Sequence, residues 1–192
     1  HATGGCGGVL YTKDKDLYRQ IRYASDRGKP LPSEGIGVKD PRLSYFPALN
    51  LNLDEISCAI GQESLRQLES RMERRRKITK RIDNALSGSY SIEPIQSNLP
   101  SISSPFFHTV LVDTNNLIVS KEVFCDAIIA EGIPINPDYR FVVSEWPWVK
   151  DHVVGSLNTP NATNFRKTSF NILFHERYSD SDVGDIINSL IK

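Results

Sequence analysis

The chain has 192 residues, and its 23 Lys plus Arg balance its 23 Asp plus Glu, so the formal net charge is zero. This balance argues against a nucleic-acid partner or an anionic membrane surface, and no apolar run approaches the ~20 residues that span a bilayer. The three cysteines, Cys6, Cys58 and Cys125, lack paired spacing, which argues against a disulfide framework or a zinc site and favours a reducing cytoplasm.

A glycine cluster lies near the start of the sequence. Residues 4–8 hold four glycines around Cys6, and residues 9–12 are β-branched, aliphatic and aromatic. Glycines adopt backbone conformations that other residues avoid, and β-branched and aromatic runs favour strands. Taken alone, the pattern predicts a tight turn that leads into a strand.

A helix is predicted from about residue 14 to 26, because apolar side chains recur at helical spacing behind Asp14 and Asp16. Gly28 and the prolines after it end this helix.

Residues 28–49 are rich in Pro, Gly and Ser and show no sustained period, which predicts a long loop. Three cations of this loop, Lys29, Lys39 and Arg42, are candidates to contact an anionic substrate. The alternative is that they are solvated surface charges.

A long helix is predicted over residues 54–88, where apolar side chains keep an approximate 3.6 period up to Gly88. At 1.5 Å per residue it would span about 50 Å, with a bend allowed, and would connect two domains. Seven basic side chains lie between Arg71 and Arg81. No aromatic residues interleave with them and glutamates flank them, so a solvated helix face is favoured over a nucleic-acid surface.

The remaining residues, 89–192, alternate short strands with helices, which predicts a small α/β domain. A helix over residues 121–131 has Ser120 as its cap, and a last amphipathic helix follows a capping-box-like start at residues 179–182. Alternation over residues 169–174 predicts a half-buried strand. The other strands are predicted at residues 90–95, 107–112 and 133–135, and another helix begins near residue 159.

The glycine cluster resembles the lysine loop of the pyridoxal-phosphate (PLP)-dependent sugar aminotransferases of the DegT/DnrJ/EryC1/StrS type. That family has a lysine, a few residues including a threonine, Gly-Glu-Gly-Gly, and a strand that ends in Thr. Residues 5–12 fit this pattern, with Cys6 in place of the glutamate. The family spacing places the Schiff-base lysine immediately before His1, so we expect the chain to be the C-terminal part of a longer enzyme.

A second segment, residues 48–61, resembles the family pattern Gly-x-Asn-x-Arg followed by a helix with Ala-Ala-Ile-Gly. Asn50 falls on the family asparagine, which implies a hydrogen bond to the cofactor phosphate of a neighbouring subunit and therefore a homodimer with a shared active site. Asn52 replaces the family arginine and Ala48 its glycine, so neither role is carried over. Asn52 or Asp54 is alternatively a helix N-cap.

Further candidates lie in the second half of the chain. Asp138-Tyr139 stands where the family places His-Tyr near the sugar, which makes Tyr139 either a wall of the substrate site or a half-buried core residue. Arg140 is either a fork for a phosphate or an exposed structural arginine. His175 follows a predicted strand and is either a substrate contact or a structural histidine.

The resemblance implies the α/β fold of an aspartate-aminotransferase-like (fold type I) PLP enzyme. Residues 1–53 would end the PLP-binding large domain, residues 54–88 would form the connecting helix, and residues 89–192 would form the small domain. PLP would act as the electron sink while an amino group passes from an amino acid to a keto-sugar. The lysine and the acid at the ring nitrogen would lie before His1, so no catalytic residue is expected in this chain.

More narrowly, residues 1–8 and 26–30 resemble the family branch of kanosamine and neotrehalosadiamine synthesis, which implies 3-oxo-glucose 6-phosphate as substrate and glutamate as donor. Two alternatives remain. One is a sugar 3-dehydratase of the same family, in which a histidine, here His1, replaces the lysine. The other is a non-catalytic interaction protein that docks through its basic helix.

Overall fold

A computed structural model describes residues 2–34, 43–95 and 101–192. It divides into two compact units, His1–Leu68 and Glu69–Lys192. Within the described ranges, no helix is both long and apolar enough to cross a bilayer. His1, Lys39 and Arg42 lie outside the described residues.

Two helices, α2 (Glu55–Arg66) and α3 (Leu68–Leu86), stand where the sequence predicts one connecting helix. The N–H of Gln67 turns back to the carbonyl of Leu65, which interrupts the regular i to i−4 ladder at this residue. No proline or glycine marks this point, so the sequence pattern carries no signal for the break.

In the first unit, α1 (Lys15–Ser25) confirms the predicted helix, because the Asp14 carboxylate accepts the N–H groups of Asp16 and Leu17 at 2.8 and 3.0 Å. The chain after α1 turns sharply at Gly28, where φ is 69°. A Cβ there would lie 2.2 Å from the carbonyl oxygen of Phe46, so this position needs glycine.

The strand predicted over residues 9–12 is not formed. Val9, Leu10 and Tyr11 are strongly exposed and have no regular structure. A strand forms only through ladder hydrogen bonds to a neighbour. In the described part of this unit, the sole strand-like pairing is an isolated bridge between Asp26 and Asn50, so the segment has no strand to join.

The second unit contains an antiparallel four-stranded sheet in the order β1-β2-β4-β3. Its strands are β1 (Ile92–Pro94), β2 (His108–Val112), β3 (Ile135–Asn136) and β4 (Ser169–Ile172). The register pairs Ile92 with Val112, Val110 with Phe170 and Ile135 with Ile172. The strands predicted at residues 90–95 and 107–112 are therefore confirmed with shorter bounds, whereas the extended segment predicted at residues 133–135 coincides with β3 only at Ile135.

The prediction of a half-buried β4 is wrong, since all four residues of this strand are buried. β4 lies between two other strands, and its polar residues are enclosed and hydrogen-bonded. The Thr109 hydroxyl donates to the Asn171 side-chain oxygen at 2.7 Å, and the Lys121 ammonium donates to the Ser169 carbonyl at 3.0 Å. Alternation identified one buried face and missed the second.

Among the described residues of this unit, three further α-helices follow α3: α4 (Lys121–Ala130), α5 (Pro160–Lys167) and α6 (Asp180–Ile191). Ser120 caps α4, and Ser179 with Asp182 forms the capping box of α6, as predicted. One apolar core holds the unit together. It includes Ile78 and Ile82 of α3, Val110, Phe170 and Ile172 of the sheet, Ile128 of α4, and Val183 and Ile186 of α6.

All three cysteines are free thiols. Cys6 and Cys58 are exposed, whereas Cys125 is packed in the core of the second unit. Burial raises the pKa of the Cys125 thiol to about 11, so this side chain stays protonated and behaves as a small apolar residue.

The basic side chains of α3 reach solvent for the most part, with Lys77, Lys80 and Arg81 exposed, but Arg75 is buried. Most are paired: Arg71 and Arg75 with Glu176, Arg74 and Arg81 with Asp180, Arg76 with Glu69, and Lys77 with Glu73. Several of these pairs attach α3 to the segment between β4 and α6. Arg75 alone among these basic side chains is buried, so the run combines one interior contact with surface ion pairs.

Arg75 is the extreme case, with only 5% of its surface exposed. Its guanidinium donates to three backbone carbonyls, those of Pro105, Phe106 and Phe174, at 2.7, 2.6 and 3.0 Å. It also meets the Glu176 carboxylate at 2.9 Å, and its Cζ lies 4.5 Å from the centre of the Phe174 ring. A buried cation is tolerated because its donors are satisfied in this way.

This contact predicts a pH dependence of stability. The pKa of Glu176 lies below its ordinary value of 4.5, first because its own backbone N–H bonds the carboxylate and next because Arg75 does. The unfolded chain therefore takes up a proton before the folded one, so this contribution is present above the ordinary pKa and is lost as pH falls through the folded pKa. The urea unfolding midpoint should be lower below that range than above it. A Glu176→Gln variant should show a smaller change of the midpoint with pH. An unchanged slope in the variant would contradict the assignment.

Candidate functional site

The glycine segment, residues 4–8, packs directly on α2. The Thr3 N–H donates to the Ser64 hydroxyl at 2.9 Å. A Cβ on Gly4 would lie 3.0 Å from the Ser57 carbonyl oxygen, and one on Gly61 would lie 3.7 Å from the Gly4 Cα. The approach is tight at Gly4, where a side chain would crowd the Ser57 carbonyl, whereas a Cβ on Gly61 would make an ordinary contact.

Two glycines of this segment, Gly5 and Gly7, have φ values of 85° and 89°, in the left-handed region that favours glycine. The segment and α2 line a cavity of about 920 Å³, within the size range of small-molecule sites. Cys6 and Cys58 also line it. The cavity is therefore formed largely by backbone and small side chains, which leave room for a ligand to approach the chain.

Asn50 lies on a backbone that is fixed from both sides. The N–H of Arg27 donates to the Leu49 carbonyl at 3.0 Å, and the N–H of Leu51 donates to the Ser25 carbonyl at 2.8 Å. The Asn50 side chain is exposed, and its oxygen accepts only a long 3.4 Å contact from the Asn52 N–H. Within the described ranges, its amide donors have no recorded acceptor.

The two N-cap candidates of α2 are now distinguished. The Asp54 carboxylate accepts the Ser57 N–H at 2.9 Å, so Asp54 is the cap. The Asn52 side chain instead helps to stabilise the Asp26 carboxylate. The pKa of Asp26 is lowered chiefly by the Arg27 guanidinium and additionally by the Asn52 side chain. Asn52 therefore has a local structural role where the family pattern has an arginine.

Tyr139 and Arg140 follow β3 in the second unit. Tyr139 is 46% exposed, and its ring centre lies 6.1 Å from those of Phe107 and Phe141. Arg140 is exposed, and no acidic partner for its guanidinium is recorded among the residues that the structure describes. Both side chains are thus accessible on the surface of this unit.

His175 has a different environment. Its Nδ1 accepts the Arg177 N–H at 3.1 Å, and its ring packs edge-on against Tyr178 with centres 4.4 Å apart. It lines a groove of about 1000 Å³ along α6, whereas Tyr139 lines a separate cavity of about 350 Å³. The structure therefore does not bring His175 and Tyr139 into one cavity.

Lys121 was missed by the sequence interpretation although it contacts the segment that carries Tyr139. Only 4% of its surface is exposed, and its ammonium lies 2.9 Å from the Asp138 carboxylate. Lys121, Cys125 and Ile128 are the buried residues of α4, at the i, i+4, i+7 spacing of one helix face. That periodicity was the available signal, but lysine was assumed to be exposed.

No group of three or more His, Cys, Asp or Glu side chains able to hold a metal ion occurs within residues 2–34, 43–95 and 101–192. The sequence profile of the DegT/DnrJ/EryC1/StrS aminotransferase family matches residues 1–191. The chain belongs to this family.

Curated relatives match nearly the whole chain. A UDP-4-amino-4,6-dideoxy-N-acetyl-beta-L-altrosamine transaminase of Campylobacter jejuni subsp. jejuni is 25% identical over 186 residues, which cover 96% of this chain and 47% of the relative. The spore coat polysaccharide biosynthesis protein SpsC of Bacillus subtilis is 24% identical over 201 residues, covering 97% of this chain and 49% of the relative. The chain thus spans about half the length of these relatives.

Solved structures with the same fold are sugar aminotransferases. Helicobacter pylori PseC, an aminotransferase involved in the biosynthesis of pseudoaminic acid, superposes with a TM-score of 0.78 at 16% identity over 94% of this chain and 46% of its own. Micromonospora echinospora CalS13 gives 0.78 at 18% identity over 98% and 48%. The predicted α/β fold class, part of a fold type I enzyme, is confirmed.

Proposed function

We propose that the complete protein transfers an amino group from an amino acid to a keto-sugar, with PLP as its cofactor. The observation that carries the proposal is the family match along residues 1–191. Structures of the same fold include a PLP form and a PMP form. In this proposal the chain contributes a cofactor contact and part of the substrate wall, while the lysine and the acid at the ring nitrogen belong to residues outside it.

The residues present fit a phosphorylated cofactor. Asn50 is exposed between two residues held by backbone hydrogen bonds, and its amide donors have no acceptor among the described residues, so they can donate to a phosphate oxygen. The glycine segment lets a ligand approach the backbone closely. When bound, PLP supplies the electron sink for removal of a proton from the amino donor. We assign Asn50 to the phosphate of a paired protomer's cofactor, so the working unit is a homodimer. We also propose a location in the cytoplasm, because the three cysteines are free thiols.

The substrate contacts are assigned to Tyr139 and Arg140, and His175 is a separate candidate because it lines a different groove. Tyr139 offers an aromatic face to the sugar, and Arg140, which has no acidic partner within residues 2–34, 43–95 and 101–192, offers a guanidinium fork to an anionic group. His175 keeps its Nε2 available while its Nδ1 is engaged. Because a phosphate is recognised by such a fork, we propose 3-oxo-glucose 6-phosphate as acceptor and glutamate as donor, with the loop cations Lys29 and Arg42 as further anion contacts.

The reaction is tested with the complete gene product, PLP and nitrogen-labelled glutamate. We expect 3-oxo-glucose 6-phosphate to gain the labelled nitrogen, as followed by mass spectrometry, and nucleotide-linked keto-sugars to react more slowly. A product that has lost water without gaining nitrogen would support the dehydratase alternative. If the protein neither binds PLP nor changes any sugar, the interaction-protein alternative gains and the proposal fails.

Substitution of Asn50 tests the cofactor assignment. Asn50→Asp places a like charge beside the phosphate, so we expect the dissociation constant for PLP to rise about 100-fold, and Asn50→Ala about tenfold from loss of the hydrogen bond. PLP affinity is measured by titration of the apoprotein with absorbance detection.

Asn52→Ala is the matched control, since the Asn52 side chain helps to stabilise Asp26 within its own unit. Its PLP affinity should stay within about threefold of the wild type. An Asn50→Asp variant that binds PLP as tightly as this control would remove Asn50 from the site.

A further inference from the structure

The chain between β3 and β4 makes a long excursion, residues 137–168, that begins and ends at the same place. β3 and β4 are antiparallel neighbours, with Ile135 paired to Ile172 and Asn136 to Asn171. The excursion carries Tyr139 and Arg140. Only Val142 and Val149 are buried in it, and its aromatic rings contact one another in partly or fully exposed positions, so burial alone contributes little to its conformation.

The Lys121 ammonium lies between the two ends of this excursion. On the departing end it contacts the Pro137 carbonyl and the Asp138 carboxylate, both at 2.9 Å. On the returning end it contacts the carbonyls of Arg166 and Ser169, both at 3.0 Å. Four oxygens thus converge on one nitrogen that has three N–H donors. Because three of the four acceptors are carbonyls, the contact fixes backbone positions directly.

The same contacts extend into the excursion. Arg166, whose carbonyl Lys121 holds, forms a two-pronged ion pair with Glu145 at 2.7 and 2.8 Å. Ser144 and Thr159 share a hydroxyl contact of 2.6 Å. Tyr139 immediately follows Asp138, and its ring packs against Phe141. Loss of the Lys121 contacts would therefore release both ends of the excursion, with Tyr139 and Arg140 beside the released end.

We propose that Lys121 is a positioning residue for the acceptor sugar. It holds the two ends of the 137–168 excursion together and so keeps Tyr139 and Arg140 in their binding conformation. This inference rests on the proposed function, because it takes these two side chains to be substrate contacts. Lys121 itself touches no substrate. It acts through the backbone, and its removal should affect the sugar more than the amino donor.

The kinetic test uses the complete gene product with the variants Lys121→Met and Lys121→Arg. We expect Lys121→Met to raise KM for the sugar about tenfold and to change the donor half-reaction by less than about twofold. Lys121→Arg keeps a buried cation but replaces converging donors by a planar fork, so its sugar KM should be intermediate. Lys192→Met, which removes an exposed ion pair with Glu131, is the control and should match the wild type.

A second readout does not depend on the reaction. Both tryptophans of the 192-residue chain, Trp146 and Trp148, lie in the excursion. Acrylamide quenching of the intrinsic fluorescence of this 192-residue chain therefore reports on the segment. We expect Lys121→Met to raise the quenching constant by about a factor of two while far-ultraviolet circular dichroism is retained. Lys192→Met should leave it unchanged.

The outcomes separate this inference from the proposed function. Raised quenching together with a raised sugar KM supports the inference. Unchanged quenching in Lys121→Met overturns the inference, and so do equal losses in its donor and sugar reactions. Where the wild-type enzyme is active, raised quenching of Lys121→Met with an unchanged sugar KM also overturns it. If the wild-type protein aminates no sugar, the proposed function fails, and the role of Lys121 in sugar binding fails with it. The quenching measurement still reports whether Lys121 holds the two ends of the excursion together.

Discussion

Replacing Arg75 with methionine is expected to lower the free energy of unfolding of the Glu69–Lys192 unit by about 3–5 kcal/mol, the usual cost of removing one partner of a buried ion pair. Methionine keeps an apolar stem that can pack on the Phe174 ring, so most of the loss comes from the polar partners. The carbonyls of Pro105, Phe106 and Phe174 lose their donor, and Glu176 loses its closest cation.

The matched control is Arg76→Met, one residue further along the same helix. Arg76 pairs with Glu69, whose side chain is 87% exposed, so water replaces the lost contact. Solvent-exposed pairs of this kind contribute about 0–1 kcal/mol. Urea unfolding of the 192-residue chain, followed by circular dichroism, measures both variants against the wild type.

The comparison isolates burial, because the two substitutions remove the same side chain from neighbouring positions of one helix. If the two variants lose equal stability, the loss comes from helix propensity or net charge and the Arg75 contacts contribute nothing specific. A loss below about 1 kcal/mol for Arg75→Met would mean that water reaches the freed carbonyls. The protonation of Glu176 gives an independent check, since Arg75→Met should also flatten the acid side of the stability profile.

Local signals in the sequence were sufficient for the elements whose ends are set by single side chains. Asp14 and Ser120 cap helices as their residue types predict, and residues 179–182 form the expected capping box. These interactions join groups within three residues of each other, so they are encoded in short stretches of sequence.

The interior cations could not be predicted in this way. Arg75 and Lys121 are buried because distant carbonyls surround them, and a composition rule assigns both to the surface. The second buried face of β4 was missed for the same reason, since Ser169 and Asn171 are enclosed by partners from elsewhere in the chain. Tertiary partners decided all of these positions.

The residues of the candidate site also differ in whether local sequence or long-range packing determines their role. Asn50 could be identified because the residues around it form a recognisable motif, and its assignment to the cofactor phosphate remains a prediction. Tyr139, Arg140 and His175 were selected by local resemblance or by position after a strand. Which of them share a cavity depends on long-range packing, and His175 proves to line a different cavity from Tyr139.

We expect residues 69–192 to fold alone and residues 1–68 to remain largely unfolded when each is produced separately. The second unit contains the core of buried apolar side chains around Ile78, Val110 and Phe170. In the described part of the first unit, no large apolar side chain is buried: α1 buries no residue and α2 buries only Ser64. Without buried apolar area, ordering the backbone has no compensating gain.

The exposed apolar side chains of the first unit reinforce this expectation. Val9, Leu10 and Tyr11 precede α1 in exposed positions, and Ile56 and Leu65 are exposed on α2. Such surface favours association with another polypeptide or aggregation. Short helices that lack tertiary packing are marginal in water, even with the good N-cap that Asp14 provides.

Calorimetry and circular dichroism on the two fragments and the 192-residue chain test the prediction. Residues 69–192 should unfold cooperatively with an enthalpy near 0.7 kcal/mol per residue, within about a factor of two. The 192-residue chain should show almost the same total enthalpy as this fragment, because the first unit contributes little cooperative structure. Residues 1–68 should give a coil-like spectrum that gains helix only in trifluoroethanol. Two results would show that the first unit has an apolar core: a cooperative transition in residues 1–68, or an unfolding enthalpy that scales with all 192 residues. Either result would contradict the expectation that residues 69–192 carry nearly all of the stability.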